Sequence, residues 1–151
     1  MFDTIPAFKC LKVEVVPAGP KYTEVIRETD GQLHVSGGWA VSQMIEGLDR
    51  GVHAFMPTGM HPIYTEIYRR YQRGERGEAQ ALFEQLLPVL AFSNQHLDVS
   101  IHFFKRLLHA QGVYATRRVR FSGKPFDGIH QAAADGLIER VIALEGSLRP
   151  A

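Results

Sequence analysis

The sequence contains one cysteine, Cys10, and no cysteine pair. An internal disulfide is excluded, and so is a zinc site built on paired cysteines. No stretch approaches the roughly 20 apolar residues that a membrane-spanning helix needs. The opening "MFDTIPAF" lacks the basic start and apolar segment of a secretory signal. Charge of one sign is also missing: 17 Lys+Arg against 16 Asp+Glu leave a formal net charge of +1. That balance calls for neither nucleic acid nor an anionic membrane as partner. No low-complexity tract and no repeat of solenoid length is present. The seven histidines are scattered without an HExxH-like pair, so no metal is expected. Ser36, Ser42 and Ser93 sit in nothing like a GxSxG elbow. Together these absences lead to the expectation of a soluble protein in a reducing, cytoplasmic setting.

What remains is an ordinary globular composition, with 45% hydrophobic and 22% charged residues over 151 positions, one domain's worth by length. Residues 8–16 (FKCLKVEVV) read as a strand. "PAGP" breaks it, and Pro20 suits the first turn of a helix over 21–28. After an Asp30-Gly31 turn, residues 33–36 form a second short strand closed by Gly37-Gly38. Val41, Met44, Ile45 and Leu48 recur at helical spacing up to Gly51. Residues 52–56 are a third strand, stopped by Pro57 and Gly59, and 63–71 a further helix. Three strand–helix units, each about 20 residues long, imply parallel strands with helices packed outside.

From residue 74 onward no convincing strand appears. Ala79, Leu82, Phe83, Leu86, Leu87 and Leu90 make an apolar helical stripe, with a kink expected at Pro88. Residues 99–110 are apolar on most sides, and 129–144 form a last amphipathic helix. Stripes of this kind face a core far more often than a ligand.

Lys12 stands out, lying between Leu11 and Val13 in an apolar strand. Alternation puts Phe8, Cys10, Lys12 and Glu14 on one face and Lys9, Leu11, Val13 and Val15 on the other. Desolvation lowers a lysine's pKa and frees the amine to attack a carbonyl, forming a Schiff base. A carboxylate such as Glu14 favours the charged form instead, and a plain Lys12–Glu14 pair at an exposed strand end is the alternative reading. The glycines of "PAGPK" and "SGG" allow close approach of backbone to a ligand, but a simple turn explains each as well.

The chain resembles the dihydrodipicolinate synthase/N-acetylneuraminate lyase family along nearly its whole length. "CLKVEVVPAGPKYTEVI" looks like the family segment that carries the Schiff-base lysine, and "HVSGGWA" like the next strand with its glycine turn. "GLDRGVHAFMPTG" is similar to the eighth strand and its following loop. "YRRYQRGERGEAQALFEQLLPVL" and "FFKRLLHAQGV" are similar to the C-terminal helical section. The resemblance implies an α/β fold: the C-terminal part of a (β/α)8 TIM barrel over 1–73, equivalent to strands six to eight, then a helical section over 74–151. It implies that Lys12 condenses with pyruvate or a related 2-oxo acid, with Gly37 and the main chain at Met56 nearby in the substrate site. The family then makes or breaks a carbon–carbon bond, or dehydrates a sugar acid, with the protonated imine as electron sink and no cofactor. Arg120 matches a family arginine, but Phe121 and Ser122 depart from the proline expected after it, and no catalytic role is assigned.

Family members are about twice this length, as befits a complete barrel. The resemblance therefore implies a truncated chain whose first five strands are absent. Those strands carry the threonine-rich turn that holds the substrate carboxylate and the tyrosine that relays protons. Three strands cannot close an eight-stranded barrel, so homo-oligomerisation or association with a separate N-terminal half is expected. Two functions follow: a lyase that is incomplete as this chain alone, or a non-catalytic remnant acting as an oligomerisation or binding module.

Overall fold

The computed structural model of the protein describes residues 4–38, 41–120 and 123–148. It divides into two compact units, Met1–Pro57 and Thr58–Ala151. The first is mixed α/β and runs β1 (Cys10–Val13), α1 (Gly19–Glu28), β2 (His34–Gly37), α2 (Met44–Asp49), β3 (Ala54–Phe55). The three strands form one parallel sheet in the order β1-β2-β3.

β1 and β3 are shorter than their apolar runs, whereas β2 keeps four residues and is shifted by one, to His34–Gly37. The β1–β2 ladder spans only Cys10–Val13 against His34–Gly37. Beyond it Val15 and Val16 are exposed, and Pro17 has no N–H to offer a ladder. Apolar composition thus overstates strand length at an exposed strand end. β3 has two residues, but His53 extends its attachment: His53 N donates to Val35 O at 3.0 Å, and Val35 N donates to His53 Nδ1 at 3.1 Å.

The unit's core forms on one side of the sheet. Val13, Ala18, Tyr22, Val35 and Val52 are buried together, with Leu11, Val25, Ile26 and Phe55 packed against them. Tyr22, Val25 and Ile26 sit at i, i+3, i+4 on α1, the spacing that presents one helical face. Asp30 and Gly31 turn the chain after α1 with φ of 46° and 70°. The helix expected from Val41 starts at Met44 instead. Val41 adopts φ 61°, outside the helix, yet is buried at 1% exposure. Its place in the apolar pattern therefore reports burial and not helix.

The second unit is helical: α3 (His61–Gln72), α4 (Arg76–Glu84), α5 (Leu87–Ser93), α6 (Leu97–Ala110) and α7 (Gly128–Ser147). Among its described residues there is no strand. The stripe from Ala79 to Leu90 is split between two helices where a kink was expected. Pro88 falls in the first turn of α5, where a missing N–H breaks no intrahelical bond. Ile67, Ala79, Leu86, Val89, Phe103 and Leu107 are fully buried. Arg106, 9% exposed, grips Asp135 with Nη2 at 2.7 Å from both carboxylate oxygens and so ties α6 to α7. Among the described residues no helix is long and apolar enough to cross a membrane.

Phe103 is wholly buried between Phe92 and Phe104, each ring meeting it edge-on. Phe103→Ala is expected to cost about 3–5 kcal/mol in denaturant unfolding. A loss below about 1 kcal/mol would mean that this helical core is not close-packed.

Candidate functional site

Three strand ends meet at one rim of the sheet. Lys12 is the penultimate residue of β1, Gly37 the last of β2, and Met56 follows the last of β3. The register aligns Lys12 with Ser36, and Ser36 with Ala54; the next row is Val13, Gly37 and Phe55. Two backbone bonds close the rim: Gly38 N donates to Val13 O at 3.0 Å, and Met56 N donates to Gly37 O at 3.3 Å. The three residues singled out in the sequence thus lie at the C-terminal ends of adjacent parallel strands, the end where barrel and open α/β folds carry their chemistry.

Alternation sorts the side chains around them. Leu11 and Val13 turn to the helix-covered core. Lys12 takes the opposite, open face with its side chain 39% exposed, and its Nζ lies 3.0 Å from Glu14 Oε2. The ion pair expected between these residues is therefore formed. Glu14, just beyond β1, is 49% exposed. Ser36, beside Lys12 in register, is buried at 2% exposure. The Met56 side chain is exposed, so its link to this rim is through its main chain.

Gly37 and Gly38 do different work. A Cβ on Gly37 would lie 2.6 Å from the Phe55 ring and 2.8 Å from the Tyr22 hydroxyl, on the core side. A Cβ on Gly38 would lie 2.7 Å from Glu14 Oε1 and 2.8 Å from Lys12 Cε, on the open side. Gly38, not Gly37, makes room for the Lys12–Glu14 pair. Sequence reasoning missed it because two adjacent glycines look alike until strand alternation is fixed. It also missed Tyr22, 1% exposed, whose hydroxyl is held above its ordinary pKa by burial first and then by the Glu46 and Glu14 carboxylates. Its i, i+3, i+4 spacing with Val25 and Ile26 was the available signal.

Among the described residues no group of three or more His, Cys, Asp and Glu side chains is placed to hold a metal ion. The chemistry this rim offers is that of a primary amine beside a carboxylate: nucleophilic addition to a carbonyl with a proton acceptor at hand. Trp39 and Ala40, which follow the glycines, and Phe121 and Ser122, which follow Arg120, lie outside the described residues.

No protein-family model matches the sequence. No curated protein matches it either. Solved structures do. The chain is similar to a dihydrodipicolinate synthase from Rhodopseudomonas palustris, with a TM-score of 0.76 and 21% identity over 87% of this chain and 45% of that one. It is similar also to the 4-hydroxy-tetrahydrodipicolinate synthase of the thermoacidophilic methanotroph Methylacidiphilum fumariolicum SolV, with a TM-score of 0.73 and 15% identity over 93% of this chain and 46% of that one. The likeness is one of fold, and the chain spans less than half the length of either protein.

The two glycines yield a paired prediction. Gly37→Ala forces a methyl group into packed core and is expected to cost about 1–3 kcal/mol. Gly38→Ala meets only the ends of two flexible side chains and is expected to cost less than half as much. Equal losses in side-by-side denaturant titrations would contradict the assignment of the two faces.

Proposed function

We propose that this chain carries the nucleophile-bearing part of a lysine-dependent lyase of the dihydrodipicolinate synthase type. Lys12 is the nucleophile: its amine adds to the keto carbon of pyruvate or a related 2-oxo acid, and loss of water gives an imine. The protonated imine then accepts the electron pair released when a bond to the neighbouring carbon breaks, so the reaction draws on no metal or organic cofactor. The observation that carries this reading is the position of Lys12, an amine on the open face at the C-terminal end of a parallel strand. The fold likeness to two synthases supports it.

In this reading residues 1–73 correspond to the last three β/α units of a (β/α)8 barrel and 74–151 to the helical section that follows. β1 and β3 are the edges of the three-stranded sheet. Each is completed by further strands, supplied by a separate N-terminal half or by assembly with other copies, in a cytoplasmic setting. Gly37 and the Met56 main chain contribute to the wall of the substrate site. The clamp for the substrate carboxylate comes from the completing part. A second reading has its own support: Lys12 and Glu14 are 39% and 49% exposed, as in an ordinary surface ion pair. In that case the chain is an association module without turnover.

Incubation of the full chain with pyruvate and borohydride, followed by peptide mass spectrometry, separates the two. The lyase reading expects a reduced adduct on Lys12 that Lys12→Arg abolishes. Absence of an adduct with pyruvate and with other 2-oxo acids leaves the association module.

A further inference from the structure

We infer that Glu14 is the residue that moves protons at the Lys12 amine during imine formation. The inference rests on the reading of Lys12 as the imine-forming lysine and adds the acid–base partner that such a reaction needs.

Three observations place Glu14 in that role. Its Oε2 is 3.0 Å from Lys12 Nζ, within direct proton-transfer distance. Its carboxylate lies against Gly38, where a Cβ would come within 2.7 Å of Oε1 and 2.8 Å of Lys12 Cε, so the backbone leaves a slot that both side chains share. The Tyr22 phenol, a second acid–base group near this rim, lies on the core side. The Tyr22 hydroxyl lies 2.8 Å from the point where a Gly37 Cβ would stand, among core residues, whereas Gly38 and the Lys12–Glu14 pair face the open side. Consecutive strand residues point to opposite faces, so the phenol and the amine belong to different faces of the sheet, although the Glu14 charge reaches the phenol.

For imine formation the proton balance closes with Glu14 as the exchanging group supplied by this chain. The carboxylate takes one proton from the Lys12 ammonium, leaving a neutral amine and a carboxylic acid. The nitrogen lone pair adds to the keto carbon, the carbonyl π electrons move to oxygen, and a proton passes from nitrogen to that oxygen to give the carbinolamine. Glu14 returns its proton to the carbinolamine hydroxyl, the carbon–oxygen bond breaks with its electron pair, and water leaves. The protonated imine remains and the carboxylate is regenerated. Ammonium and ketone become iminium and water, with no net proton taken up or released.

The test measures the initial rate of Lys12 adduct formation with pyruvate and cyanoborohydride at neutral pH. Wild type is compared with Glu14→Ala and Glu14→Gln, each checked for an unchanged melting profile. Loss of the proton-transferring group is expected to slow trapping about a hundredfold. Added formate should restore the Glu14→Ala rate in proportion to its concentration, which a purely structural role would not produce. If the carboxylate only pairs with the ammonium, its removal leaves the rate unchanged or raises it, and this inference falls while the lyase reading stands. No adduct on wild-type Lys12 overturns both.

Discussion

The register between β1 and β2 decides what Lys12 faces. With Lys12 opposite Ser36, Leu11 and Val13 enter the core beneath α1 and the lysine emerges on the open side. A slip of one residue would invert every side chain of the strand, burying an amine in an apolar cluster and exposing two aliphatic residues. The four-residue ladder is short, but its two faces differ so sharply in polarity that no neighbouring register competes with it. The Gly38–Val13 bond at 3.0 Å then carries the pairing one residue past the ladder, to the point where Glu14 meets Lys12. Geometry at the rim thus follows from apolar burial on the far face of the sheet.

Among the described residues the same sheet is unpaired at both edges. β1 pairs on one side only, and so does the two-residue β3. Proteins do not ordinarily leave parallel edges of this kind uncovered, because unpaired N–H and C=O groups recruit other strands. The core under α1 covers one face of the sheet, whereas on the other Cys10, Lys12 and Glu14 are exposed and Ser36 beside Lys12 is buried. Among the described residues an unpaired edge and exposed polar side chains thus occur at the same place. On the proposed reading, further strands would satisfy both.

Much of this was legible in the sequence, for definite reasons. The alternation of strand and helix, the Asp30-Gly31 turn and the two faces of β1 each rest on a local signal, either periodicity or turn chemistry. Strand ends were not legible: Val15 and Val16 prolong the β-branched run, yet both are exposed and the ladder ends at Val13. Val41 fitted the helical period while lying outside the helix with φ 61°. Pro88 announced an interruption but not its kind, since a proline serves equally as a kink or as the first turn of a new helix. At the rim, Lys12 and Glu14 were found because they share a face at i and i+2. The distinct roles of Gly37 and Gly38 were not, because a residue without a side chain carries no periodicity.

One feature of the lysine runs against the simplest account of its reactivity. A lysine flanked by Leu11 and Val13 looks desolvated in the sequence, and burial is one standard way to free an amine for attack. Alternation sends those two apolar neighbours to the other face, and the side chain of Lys12 is 39% exposed beside a carboxylate. Its own strand therefore does not dry it. Two sources of activation remain. The carboxylate at 3.0 Å can take the proton directly. A layer covering the open face would exclude water from both groups, and in the lower dielectric strengthen every charge interaction between them. In the proposed lyase these would act in sequence: a covering layer would bring the 2-oxo acid and remove solvent, and the carboxylate would then have a dry, fixed amine to work on. On that proposal the chain supplies the amine and the carboxylate held 3.0 Å from it, and what closes over them would set how strongly they react.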